Sequence, residues 1–325
     1  MTHWLPFPRL KPLIKLGLIA ILTAVLAIGC GSSVPTKQND QSGQIPCRPI
    51  QHAAGETCVP LDIQRVVTLG TPTLANALAL ETKPVGGIFY FETPPAYLEG
   101  KVETIESVGT GERPNLEKIL TLQPDLIIAM NEWNVTYQQL SQIAPTVVDD
   151  WQGYPSWSDH FNFVAQVLNK TQTAEQIWAE YEQRIQELRA ALGSTYENKT
   201  VSFMYLCCGG ISIDVKNSFS GQIFEDIGLQ RPPAQNLEND SGLVILSQER
   251  LTDVDADIVF LAVDKDEESQ NMLQQLQQDP LWSQLKAVKN DQVYPVNLAT
   301  WRGGNPLAAN AVIDDLFKYL TEEGP

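Results

Sequence analysis

Histidine is nearly missing from this chain. There are three in 325 residues: His3, His52 and His160. A transition-metal centre needs three or four nitrogen, sulfur or oxygen ligands converging on one point. No HxxxH, HxH or CxxC pairing occurs, so a dedicated metal site is not expected. The same scarcity argues against histidine-based acid–base catalysis. His160 opens a predicted helix and reads as a surface or cap residue. There is no G-x-S-x-G nucleophile elbow and no phosphate-cradling glycine loop. Basic residues are also scarce, 22 against 39 acidic. So acidic a chain is a poor partner for nucleic acid, and any anionic ligand must be met by a few specific Arg or Lys residues. No cofactor is expected.

Long apolar runs are absent except one. Arg9, Lys11 and Lys15 precede an uncharged stretch from Leu16 to Cys30. It falls short of the ~20 residues that span a bilayer as a helix and has the layout of a secretory signal. Its end, Ala27-Ile28-Gly29-Cys30, resembles a lipobox, in which Cys30 would be diacylated and become the new N-terminus. The alternatives are a plain signal peptide or an uncleaved anchor. A polar "GSSVPTKQNDQSGQ" follows and reads as a flexible tether. Removing Arg9, Lys11 and Lys15 leaves 19 basic against 39 acidic residues, a net charge of −20. The expected product is exported, lipid-anchored on the periplasmic side of a membrane, and monomeric.

Only five cysteines are present. With Cys30 assigned to lipid, Cys47 and Cys58 bracket a short loop and read as a local disulfide in an oxidising compartment; the alternative is two unpaired thiols. Cys207 and Cys208 are left over. They could join in a strained eight-membered ring or stay as two partly buried thiols.

From Arg65 onward strands alternate with helices. Strands are predicted at 65–69, 83–91, 125–130, 146–150, 200–206, 255–263 and 291–297. Helices are predicted at 72–80, from about Pro114-Asn115, and at 133–143, 218–229, 272–278 and 305–320. Such alternation implies βα units on mostly parallel sheets. Between the two series lies "TAEQIWAEYEQRIQELRAAL", residues 173–192. Ile177, Tyr181, Ile185, Leu188 and Leu192 share one helical face, Thr173 with Gln176 suggests a capping box, and Gly193 supplies a stop. The fold class is therefore α/β, with two α/β lobes joined by one long backbone helix. The expected divisions are a leader at 1–29, a tether at 30–46, a first lobe at 47–157, a linking-helix region at 158–193 and a second lobe at 194–325.

The segments "RVVTLGTPTLANALALETKPVGG", "VGTGERPNLEKILTLQPDLIIA", the 173–192 helix, "LSQERLTDVDADIVFLAV" and "DPLWSQLKAVKNDQVYPVNLATWRGGNPLAANAVIDDLFKYL" occur in order behind the lipobox. Together they resemble the substrate-binding lipoproteins of ABC importers for ferric siderophores, haem and cobalamin. The prelude "CRPIQHAAGETCVPLDIQRVV" resembles the version in photosynthetic-bacterial iron–siderophore binders, the cyanobacterial type. The resemblance implies a cleft between the lobes and ligand capture there, at the C-terminal ends of the strands, in agreement with the general rule for open α/β sheets. Tyr90, Arg113, Trp133, Trp151, Tyr205, Cys207, Trp301 and Arg302 fall at such ends. Aromatic rings with a few arginines suit a bulky anionic chelate that encloses its own iron. The resemblance also implies that Glu117 and Glu249 dock onto the permease, which works with an ATPase subunit. Two other readings compete: haem or cobalamin delivery, with Tyr205 or Cys207 as an axial haem ligand, and a thiol–disulfide oxidoreductase using Cys207 and Cys208. The oxidoreductase reading lacks C-x-x-C spacing, so no enzyme is expected.

Overall fold

The computed structural model describes residues 46–90, 94–110, 113–130, 136–151, 153 and 156–321. Cys30 and the leader, with nearly all of the tether, lie outside the described residues. The described chain opens on an antiparallel hairpin, β1 (Cys47–His52) and β2 (Gly55–Pro60). A six-stranded sheet follows, made of β3 (Val66–Leu69), β4 (Gly86–Phe89), β5 (Glu106–Thr110), β6 (Arg113–Pro114), β7 (Leu126–Met130) and β8 (Thr146–Asp149). Its order is β6-β5-β4-β3-β7-β8, and every neighbouring pair is parallel except β5 with β6. The runs "VVTL" and "LIIAM" are buried along their whole length, because helices cover both faces of a parallel sheet. Those helices are α1 (Thr71–Ala79), α2 (Leu116–Thr121), α3 (Tyr137–Ser141) and α4 (Trp157–Val167).

Helix α5 (Thr171–Leu192) leads to the second sheet. This sheet contains β9 (Val201–Cys207), β10 (Gly210–Asp214), β11 (Leu243–Leu246), β12 (Ile258–Val263) and β13 (Val293–Val296), in the order β11-β10-β9-β12-β13. Strands β9, β12 and β13 are parallel, while β9, β10 and β11 form an antiparallel meander. Its helices are α6 (Phe219–Ile227), α7 (Glu267–Gln278), α8 (Lys286–Lys289), α9 (Leu298–Trp301) and α10 (Pro306–Leu320). The two-lobed α/β plan read from the sequence is the one observed.

Two helices hold the lobes to each other. Tyr181, Ile185, Leu188 and Leu192 of α5 are buried in a core that runs without a break from Val67 and Ile127 in the first sheet to Phe203 and Phe260 in the second. Helix α10 packs on α5, on α6 and on α1 of the first lobe. At ~1.5 Å per residue, α5 alone spans ~33 Å. The small hairpin is tied down separately. Cys47 and Cys58 are joined in a disulfide, a closure worth roughly 2–3 kcal/mol for so short a loop. Arg48 donates to the carbonyls of Gln166 and Val167 at the end of α4, where a cation also suits the helix dipole.

The structure corrects several local expectations. Helix α5 starts at Thr171, two residues early, with Lys170 at its N-cap and no side-chain cap bond. Thr173 is thus inside the first turn, and the capping box with Gln176 does not form. The genuine box is Thr136 with Gln139 on α3; residues 131–135 of the helix expected at 133–143 lie outside the described residues. Of the strand expected over 83–91, Gly86–Phe89 forms, and Phe91 lies outside the described residues. Strands β10 and β11 were not expected. His160 is fully buried and is no surface residue.

Candidate functional site

In the second lobe one guanidinium lies over the β9–β10 pair. Arg302 follows α9 and lies over the Tyr205 ring, 4.9 Å from its centroid. Its Nε is 3.5 Å from Oδ1 of Asp214, at the end of β10. The Arg302 side chain is 23% exposed and Asp214 only 1%. The other Asp214 oxygen accepts from Ser220 Oγ at 3.0 Å. Behind them Arg231 donates to the Asp214 backbone carbonyl at 2.5 Å and to Gln235 Oε1 at 3.0 Å. Burial pushes the Asp214 carboxyl upward, and Arg302, Ser220 and Arg231 oppose that push. Burial likewise draws Arg231 down to about 10. This cluster sets two guanidiniums against one carboxylate, a local positive excess in an acidic chain. Sequence reading found Arg302 but missed Asp214 and Arg231; a charge closing the apolar "ISID" strand was the available signal.

Tyr205 is buried and serves as the face on which Arg302 rests. Cys207 is half-buried at the end of β9. Burial first, and then Cys208, push its thiol up to about 12, while Arg302 pulls it down. Trp301 departs from expectation. It is 0% exposed, packed at 5.0 Å, 5.8 Å and 4.6 Å from Phe203, Phe224 and Phe260. Its indole N–H donates to Asp315 at 2.8 Å. The last turn of α9 aims the indole into the core and leaves the next residue, Arg302, partly exposed. Trp301 is therefore a packing residue and has no surface to offer a ligand.

In the first lobe Tyr90 ends β4 and is 36% exposed. Its backbone N–H donates to Thr71 Oγ1 at 2.8 Å, and its hydroxyl lies 3.9 Å from the Met130 sulfur. Arg113 is exposed on β6, paired with Thr110. Only glycine fits at position 109, opposite Pro114. Gly109 has φ +151°, and a β-carbon there would lie 2.3 Å from the Arg113 carbonyl oxygen. Trp133 lies outside the described residues. Trp151 is buried, stacked at 4.6 Å on His160. His160 in turn has Nδ1 2.5 Å from Asp149 Oδ2 and Nε2 3.0 Å from Thr73 Oγ1, an arrangement buried under the indole that sets its position.

The loop between α9 and α10 packs on the first lobe beside Trp151. A β-carbon on Gly304 would come within 2.9 Å of the Trp151 ring, and Asn305 Nδ2 donates to the Tyr97 hydroxyl at 3.3 Å. Tyr90 and Trp151 follow the C-terminal ends of β4 and β8, Arg113 pairs with the end of β5, and Cys207 ends β9. A hollow of about 480 Å³ lined by Thr57, Tyr137 and Thr146 lies against the small hairpin, away from these ends. Glu117, in the first turn of α2, and Glu249, in a 3-10 turn just after β11, are both exposed. Among the described residues no group of three His, Cys, Asp or Glu side chains is placed to hold a metal.

A periplasmic binding protein family model matches residues 66–297. The chain is 30% identical to the probable siderophore-binding lipoprotein YfiY of Bacillus subtilis, covering 93% of this chain and 97% of that one. It is 31% identical to the Fe(3+)-citrate-binding protein YfmC of the same organism, over 89% of this chain and 90% of that one. Among solved structures, Staphylococcus aureus SirA complexed with staphyloferrin B superposes with a TM-score of 0.75 at 28% identity, covering 84% of this chain and 98% of that one.

Proposed function

The chain belongs to the periplasmic binding protein family, and from that premise we propose that it captures a ferric siderophore between its lobes and delivers it to an ABC permease. The observation that carries this is Arg302, held on Tyr205 and Asp214 two residues before Gly304, where the second lobe packs on Trp151 of the first. A guanidinium so braced can bind carboxylate or other oxyanion groups of a chelate through a fixed fork. Tyr90 and Arg113 would contact the ligand from the first lobe, and Cys207 from the second. The iron stays with its chelator. Affinity then comes from shape and charge, with no bond made or broken.

The proposal extends to the rest of the chain. Residues 1–29 direct export, Cys30 carries lipid, and 30–46 form the tether. Residues 47–157 and 194–325 are the lobes, and 158–193 the linking region. The protein acts as a monomer with permease and ATPase subunits, and Glu117 and Glu249 dock on the permease. Charge reversal at both glutamates should leave chelate binding intact and stop uptake in cells; unimpaired uptake would remove them from that role.

The direct test is tryptophan fluorescence titration with ferric complexes of citrate-type, hydroxamate and catecholate chelators, against haem and cobalamin. Saturable quenching by at least one iron chelate is expected. No response to any of them, with tight binding of haem or cobalamin, would overturn the siderophore reading.

A further inference from the structure

Cys207 and Cys208 sit at the tip of the β9–β10 hairpin. Cys207 pairs with Gly210, so Cys208 and Gly209 are the whole turn. Both have positive φ, 57° and 76°. A two-residue turn of this hand matches the twist of its strands and favours Asn-Gly. A β-carbon in the left-handed region costs about 1–2 kcal/mol, least for Asn or Asp, whose short polar side chains bond locally. Cysteine has no such compensation, and Cys208 is exposed, so core packing does not account for it either. The two sulfurs are 2.9 Å apart, closer than unbonded sulfurs normally settle. The chain's other close pair, Cys47 and Cys58, is joined, as expected where disulfides persist.

We propose that Cys207 and Cys208 form a reversible redox site, a vicinal dithiol that closes into a disulfide ring at the hairpin tip. The assignment rests on the hairpin and the thiols, and stands apart from the siderophore reading. The oxidant is a disulfide, RSSR, of a small thiol or of an exchange protein. The exposed Cys208 sulfur attacks first, because burial holds the Cys207 thiol protonated. The S–S bond of RSSR breaks, Cys208–S–S–R forms, and one RS⁻ leaves and takes up the Cys208 proton. Cys207 then attacks Cys208 Sγ, and the second R–S leaves with the Cys207 proton. Two S–H bonds are lost and one S–S bond is exchanged, so RSSR departs as two RSH.

The ring should also reopen readily. Neighbouring α-carbons are only ~3.8 Å apart, inside the about 4.4–6.8 Å spanned by ordinary disulfides. Cys47 and Cys58, at 5.4 Å, meet that range. The more constrained pair is the more easily reduced. Opening and closing it changes the strand edge beside Arg302, since the closed form presents no S–H there.

The test is differential alkylation of the exported chain. Protein purified without reductant is exposed to oxidised glutathione, blocked with N-ethylmaleimide, digested and weighed. The peptide holding Cys207 and Cys208 should be two hydrogens lighter than the dithiol and carry no maleimide. After graded dithiothreitol it should take two maleimides while Cys47 and Cys58 remain linked. Two maleimides on the glutathione-treated protein, or one glutathione on each cysteine, would overturn the proposal, as would both pairs opening at the same reductant level. Cys208→Asn supplies the turn's favoured residue. It should keep the urea midpoint at or above the parent's and leave Cys207 able to take only one adduct. A large drop in that midpoint would overturn the argument that the turn itself has no need of this cysteine.

Discussion

Arg302→Ala is expected to weaken ferric-siderophore binding at least about 30-fold, the low end of the ~2–5 kcal/mol lost when one member of a buried charged pair is truncated. The same change removes the cation nearest the buried Asp214 carboxylate. Asp214 already sits above the ordinary carboxylate range because of burial, and Arg302 is the first of the groups that oppose this. A carboxyl with a raised folded pKa contributes stability below its unfolded value, and that contribution is lost as pH rises through the folded value. Without Arg302 the folded value climbs further. The variant should therefore melt below the parent at neutral pH, and the gap should narrow towards acid pH. Arg302→Lys keeps the charge but loses the fork and the stack on Tyr205, so it should recover only part of the affinity. Fluorescence titration and melting curves at two pH values check all three points. Parental affinity in the alanine variant would remove Arg302 from the ligand site.

The plan of the fold was legible because it is written in local patterns. The "VVTL" and "LIIAM" runs need burial on both faces, and the 173–192 face needs a core on one side. Strands β10 and β11 were not legible for a different reason. "GISID" is five residues that open on a glycine and follow another, and only its pairing with β9 and β11 makes it a strand. From sequence Cys207 therefore reads only as the end of a strand, yet Cys207–Gly210 is also the tip of a hairpin. Side-chain direction was equally hidden. Trp301 and Arg302 are neighbours in sequence, but one is buried among three phenyl rings and the other is partly exposed beside Asp214. His160 looked isolated because its partners, Asp149 and Thr73, are eleven and eighty-seven residues away.

Trp301→Ala is expected to cost about 3–5 kcal/mol of unfolding free energy, the usual penalty for emptying a large aromatic site in a packed core. The indole is in contact with Phe203, Phe224 and Phe260, so the cavity would open in the core that spans both lobes. Trp301→Phe separates packing from the hydrogen bond. It keeps a ring but strips the N–H donor from Asp315. Burial already raises Asp315, and the Trp301 bond is the foremost of the effects that hold it down. Removing that donor lifts the folded value further, so the phenylalanine variant should lose ground to the parent as pH rises from the carboxylate range to neutrality. Its chelate affinity should stay within a few-fold of the parent, because the ring still sets the end of α9 from which Arg302 projects. Urea unfolding at pH 4.5 and 7.5, with titration at pH 7.5, reads both effects. A phenylalanine variant with parental stability at both pH values and lost binding would instead place Trp301 against the ligand, and the alanine variant would then unfold at the parent's midpoint.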